Sequence, residues 1–249
     1  MSGFALKIIA IVCMVIDHAY KIAPEMIASF GDVKIPFLTG TVWLSGLIGL
    51  LGRISLPIFA FEIAEGCKYT KSFPKYLRRL FLFAVISELP FDYCLKGSFT
   101  LDSQNVMWTF LLGVLAVFIY EKLKPRTILG LLGVFICAAV SYVGRTDYRG
   151  MGVLLVFIIY ISKNKPMKLL SMAVVLFIYY LFDRGLFWMI RDGNVVQIID
   201  GSLRFCATLL SLPIIAFYNG KKGHSMKWFF YAFYPLHLIV LELVGRLWT

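Results

Sequence analysis

The sequence predicts an all-α polytopic membrane protein of about nine transmembrane helices, with its N-terminus in the cytoplasm and its C-terminus outside. Three observations carry that expectation. Of the 249 residues, 60% are hydrophobic and 16% charged, where a soluble domain carries about 25% charged residues; the mean hydropathy is +0.81. The apolar residues gather into runs of bilayer-crossing length. The connections between those runs alternate between strongly basic and mixed charge. The net charge of +11 therefore belongs to loops on one side of a membrane, and no nucleic-acid partner is expected.

The runs fall at residues 5–23, 42–65, 76–95, 105–121, 127–143, 150–162, 168–182, 198–218 and 228–247. The first contains LKIIAIVCMVIDHAYKI, with only Lys7 ahead of its apolar core and no small-residue cleavage site behind it. It reads as a retained helix rather than a signal peptide. The sixth and seventh runs are short, so they extend into their flanks, tilt or re-enter. No soluble domain, linker or internal repeat interrupts the pattern, and residues 1–249 read as one transmembrane domain.

Lys68, Lys71, Lys75, Arg78 and Arg79 make the first basic connection. Lys122, Lys124 and Arg126, then Lys163, Lys165 and Lys168, then Lys221, Lys222 and Lys227 make the others. The intervening connections hold Glu25, Asp32 and Lys34; Lys96 and Asp102; Arg145, Asp147 and Arg149; and Asp183, Arg184, Arg191 and Asp192. Positive-inside bias puts the basic set in the cytoplasm, and an odd helix count then sends the C-terminus out. The expected location is a bacterial plasma membrane, with the lipid bilayer as a partner. The five cysteines are scattered without ligand spacing, so neither a metal site nor a disulfide framework is expected.

Ionisable residues inside spanning helices are costly and usually face a cavity, a proton path or a substrate. Asp17 and His18 lie in the outer half of the first run. Glu88 and Asp92 lie in SELPFDY, where Pro90 frees backbone groups. Asn105, Trp108 and Thr109 open the fourth run from the same side, and His237 follows Pro235 in FYPLHL. These residues are expected to converge on one outward-biased site. Arg53 lies within GRISLPIFAF. The run Lys75, Arg78 and Arg79 suits phosphate binding, with topology and lipid headgroups as the plainer explanation. Asp17–His18 has a structural alternative too, as a polar tie between helices. Asp200 and Arg204, at i and i+4, read as a neutralised structural pair.

LKIIAIVCMVIDHAY, GRISLPIFAFEIAEG, YLRRLFLFAVISELPFDY and the late FYAFYPLHL, taken in order, resemble the TraX family of membrane proteins. The resemblance runs nearly the whole length and is weak between about 125 and 225, apart from a DY-x-G-x-G-like turn at Asp147 that includes Arg149. The family's namesake acetylates the N-terminus of F-type pilin. The resemblance extends distantly to polytopic acyltransferases that use cytoplasmic acyl-CoA and a membrane-embedded histidine. It implies roles for Asp17, His18, Arg53, Glu65 and Gly66, Glu88 and Asp92, and His237.

The leading expectation is an acetyltransferase that moves an acetyl group from acetyl-CoA to a peptide or glycan acceptor at the outer face. His18, Asp17, Glu88, Asp92 and His237 are its candidate catalytic residues. His18 is the best base and Asp17 or another carboxylate its orienting partner; an acetyl-histidine route remains open beside direct transfer. Arg53, Lys75, Arg78, Arg79, Asn105 and Trp108 are its candidate donor-binding residues. The rival classes are a proton-coupled transporter or channel using the same Asp, His and Glu residues, and a non-catalytic assembly factor.

Overall fold

A computed structural model describes residues 1–29, 34–37, 40–192 and 196–248. Asp32 lies outside the described residues, as do the side chains of Lys34, Asp183, Arg184, Asp192 and Lys227.

The described chain is almost wholly helical. In order it forms α1 (Gly3–Ile22), α2 (Pro24–Ser29), a short antiparallel hairpin of β1 (Lys34–Phe37) and β2 (Gly40–Trp43), α3 (Leu44–Leu50), a 3₁₀ turn (Leu51–Ile54) and α4 (Ser55–Tyr69). There follow α5 (Phe73–Lys96), α6 (Val106–Lys122), α7 (Thr127–Val143), α8 (Arg149–Ile161), α9 (Lys165–Phe177), a π-helical stretch (Ile178–Leu186), α10 (Phe187–Asp192), α11 (Val196–Leu209), α12 (Ser211–Ala216) and α13 (Lys227–Arg246). Each of the apolar runs lies on helix, except that 42–65 begins at the end of β2. Among the described residues, four helical stretches have the length and composition to cross a membrane: Gly3–Ile22, Lys124–Val143, Ile198–Ala216 and Trp228–Arg246. The hairpin and the short helices α2 and α10 were not expected from the apolar pattern, and the run 198–218 is divided at Leu210 into α11 and α12.

Local chemistry sets the helix ends. Ser2 caps α1 by accepting from the Ala5 amide at 3.3 Å. Ser72 caps α5 ahead of Pro74, and Gly97 ends it in the left-handed region at φ 72°. Asn105 caps α6 through the Met107 amide at 3.0 Å. Pro90 and Pro235 sit inside α5 and α13, each unable to bond the carbonyl four residues earlier.

Two compact units share this chain. One comprises Met1–Phe59, Ala173–Ser225 and His237–Thr249; the other comprises Ala60–Met172 and Met226–Leu236. In the first unit, α1 packs on α3 and the 3₁₀ turn, and the π-helical stretch packs on α11. Leu6, Ala10, Met14, Asp17 and His18 are all buried and recur at helical spacing, so the ionisable pair continues the inward stripe of α1. In the second unit, α6 packs against α5, α7 and α8, with Val114, Ala116, Val117, Leu155 and Val156 in its core. The outward faces are apolar as well: Phe81, Leu82, Val85, Ile86 and Leu89 on α5, and Leu132, Phe135 and Ile136 on α7, are exposed. Faces of that size are a liability in water and are satisfied by lipid.

Candidate functional site

In the first unit, the two ends of the chain meet at an imidazole pair. His18 on α1 and His237 on α13 approach at 2.7 Å between Nδ1 of His18 and Nε2 of His237, with ring centroids 4.9 Å apart. Both side chains are buried. One proton lies between those two nitrogens, and either tautomer makes one ring the donor and the other the acceptor. A proton taken up by one ring can thus be matched by release from the other, which suits acid–base work.

Asp17, expected as the orienting carboxylate of His18, has other partners. Its Oδ1 accepts from Arg53 Nη2 at 2.9 Å, and its Oδ2 accepts from Lys21 one helical turn on. His18 Nε2 is 4.0 Å from Oδ2, beyond hydrogen-bond reach. Arg53, expected to touch the donor or an oxyanion, is thus placed on Asp17. Two cations for one carboxylate leave the cluster with a net positive charge. Gly52 permits this arrangement, since a Cβ there would stand 2.2 Å from Asp17 Cβ. A glycine beside the arginine lets the 3₁₀ turn lie against α1.

The second unit holds a different group of the expected residues. Glu88 Oε2 accepts from Asn105 Nδ2 at 2.5 Å and from Trp108 Nε1 at 2.7 Å. These N–H groups, considered above for donor binding, are directed at a carboxylate. Asp92, one turn along α5, pairs with Lys96 at 2.7 Å, and Lys96 also donates to the Ser103 carbonyl at 2.6 Å. Thr109 donates its hydroxyl proton to the Asp147 carbonyl and accepts from the Thr146 hydroxyl at 2.9 Å, tying the DY-x-G-x-G-like turn to α6. Arg145, Tyr148 and Arg149 in that turn all have positive φ, at 51°, 61° and 47°. Non-glycine residues hold such angles only where their surroundings fix them. Here the fixing contacts run through Gln104, whose amide bonds the Arg145 carbonyl at 3.0 Å and whose carbonyl accepts from Asp147 at 2.8 Å.

The basic residues divide by environment. Lys75 and Arg78 are exposed. Arg79 is half-buried, with its guanidinium 5.8 Å from the Tyr76 ring centroid and close to the Tyr231 phenol. It serves the packing of α5 and α13 within the second unit.

Glu65 is buried and accepts from Lys168 at 2.6 Å, with Lys68 at 3.4 Å. Burial, and next the Lys168 ammonium, hold Lys68 below its ordinary pKa. Gly66 leaves room for Tyr76, whose hydroxyl would lie 2.8 Å from an added Cβ. Lys168 was missed as a site residue, because in the sequence it looks like any cytoplasmic lysine. The available signal was an acidic residue amid basic loops, which needs a cation.

A model of the family described as TraX protein matches residues 2–245. The chain belongs to the TraX family. It is also 27% identical, over 96% of its length and 94% of the relative's, to "Probable fimbrial assembly protein FimC, serogroup H1" of Dichelobacter nodosus. No solved structure matches it. Family membership and apolar helices together make this a membrane protein.

Proposed function

We propose that this TraX protein is a membrane-embedded acetyltransferase that moves an acetyl group from cytoplasmic acetyl-CoA to an amine or hydroxyl at or beyond the outer face. The observation that carries the reading is the buried His18–His237 pair. As the acceptor's nitrogen or oxygen attacks the thioester carbonyl, one imidazole takes the acceptor's proton. When the carbon–sulfur bond breaks, the imidazolium returns a proton to the departing thiolate. The net positive charge of Arg53, Lys21 and Asp17 is the kind of field that steadies an oxyanion.

The relative named as a fimbrial assembly protein supports a surface-fibre subunit as acceptor, alongside a cell-surface glycan. The topology that goes with this chemistry has nine crossings, a cytoplasmic N-terminus and an external C-terminus, supported by the alternation of loop charge. Lys75 and Arg78 are exposed cations on the proposed inner side and suit the phosphates of CoA.

A proton-coupled transporter would use the same imidazole pair. Titration of the purified protein with acetyl-CoA separates the two readings. Saturable binding, weakened when Lys75 and Arg78 are both replaced by Ala, is expected. No binding at millimolar acetyl-CoA would sink the transferase reading.

A further inference from the structure

In the second unit, two ammonium groups converge on a single carboxylate oxygen. Lys168, near the start of α9, reaches Glu65 Oε1 at 2.6 Å, and Lys68, in the last turn of α4, stands 3.4 Å from the same atom. One negative charge faces two positive ones, so the trio carries a surplus positive charge. The two lysines are not equivalent. Lys168 holds the short bond, lies 5.4 Å from the Phe61 ring centroid, and shows 12% of its side chain to solvent. Lys68 stands beyond the usual N–H···O distance of about 2.7–3.2 Å, and 29% of its side chain is exposed.

A lysine partly withdrawn from water beside a second ammonium gives up its proton more readily, and the neutral amine is the nucleophile. Lys68 meets both conditions. Burial first, and then the Lys168 ammonium, lower its pKa in spite of Glu65. Its exposed fraction leaves the amine open to a small electrophile, whereas Lys168 is committed to Glu65. Lys71 and Lys75 follow on the same basic connection, exposed to solvent, so neither is desolvated as Lys68 is. Conversion of Lys68 to an amide would remove the surplus charge and leave Glu65 with the Lys168 ammonium alone.

We propose that Lys68 is a site of direct acetylation, its side-chain nitrogen taking an acetyl group from a small activated donor, an acyl phosphate or an acyl thioester. The nitrogen attacks the acetyl carbonyl, and a carbon–nitrogen bond forms. The bond from that carbon to the phosphate oxygen or the thiol sulfur breaks. One amine proton leaves with the phosphate or thiolate, so atoms and charge balance. The modification uses neither His18 nor His237, and it stands whether or not the chain is a transferase.

The test uses the purified full-length protein in lipid nanodiscs, where both faces meet solvent. Isotope-labelled acetyl phosphate and acetyl-CoA are supplied in separate arms at neutral pH. Mass spectrometry of proteolytic fragments reads the initial rate at each lysine, and the faster arm names the donor. Lys68 is expected to be acetylated at least about fivefold faster than Lys71, Lys75 or Lys168. Lys168→Met removes the neighbouring ammonium and should slow Lys68 by about the same factor, although it opens space beside it. Lys168→Arg keeps a cation on Glu65 and should keep Lys68 in the lead. No preference for Lys68 in wild type, or an unchanged Lys68 rate in folded Lys168→Met, would overturn the site. His18→Gln should be labelled at Lys68 as fast as wild type; loss of labelling there would show delivery by the imidazole pair and overturn direct reaction. Lys68→Gln imitates the neutral acetylated side chain and gives a reading independent of rate. Its melting temperature should equal or exceed that of wild type, whereas a marked fall would make Lys68 a required partner of Glu65 and overturn the proposal.

Discussion

At the scale of single residues, the His18–His237 contact makes sharper demands than the sequence did. Loss of a general base costs about 10² to 10⁴ in rate. His18→Gln and His18→Ala should both lose acetyl transfer by that order while remaining folded by thermal unfolding in detergent. His237→Gln should lose less, because its amide can still hydrogen-bond Nδ1 of His18 but cannot carry a proton. Wild-type turnover in His18→Gln would make the pair a structural tie. Gly52 gives a second prediction. Gly52→Ala drives a methyl into Asp17 Cβ at 2.2 Å, and overpacking of this kind costs about 1–3 kcal/mol. A lowered melting temperature is expected, and an unchanged one would mean the 3₁₀ turn yields freely. The residue types at this site were legible in the sequence, because ionisable groups in apolar runs stand out. Their pairing was not, because Asp17 and His18 are neighbours in sequence yet turn to different partners, one to Arg53 and the other to His237.

At the scale of elements, the helices were readable from hydropathy and their joints were not. The apolar runs 76–95, 105–121 and 127–143 correspond closely to α5, α6 and α7, since length and periodicity are local properties. The hairpin of β1 and β2 follows no apolar period and escaped the reading, and the π-helical stretch begins inside the run 168–182 but its wider winding leaves no mark in hydropathy. The contact of Glu65 on α4 with Lys168 on α9 spans more than a hundred residues and rests on tertiary packing. Removing one member of a buried pair costs about 3–5 kcal/mol. Lys68 stays beside Glu65 when Lys168 is removed, so Lys168→Met should lower the unfolding temperature by less than that full amount, and adding Glu65→Gln should restore part of the loss. A double variant no better than the single one would mean the pair contributes packing rather than charge compensation. The basic run at the start of α5 also divides. Arg79→Ala should destabilise, whereas Lys75→Ala with Arg78→Ala should raise the KM for acetyl-CoA and leave kcat nearly unchanged, the pattern of lost uniform binding. An unchanged KM would assign those two cations to topology alone.

At the scale of the whole molecule, the proposed topology puts the Lys68 to Arg79 connection inside the cell. Labelling of single cysteines in that connection by a membrane-impermeant reagent should require permeabilised cells; labelling of intact cells would overturn the orientation. The claim on which the rest depends is transfer of an acetyl group by the buried imidazoles. It is tested most directly in inside-out membrane vesicles, which keep the native acceptors in place, supplied with radiolabelled acetyl-CoA on the exposed cytoplasmic face. Vesicles carrying the wild-type chain should incorporate acid-stable label into a membrane or surface component. Vesicles carrying His18→Gln at equal abundance should incorporate about a hundredfold less or lower still. Equal incorporation by the two would contradict the account.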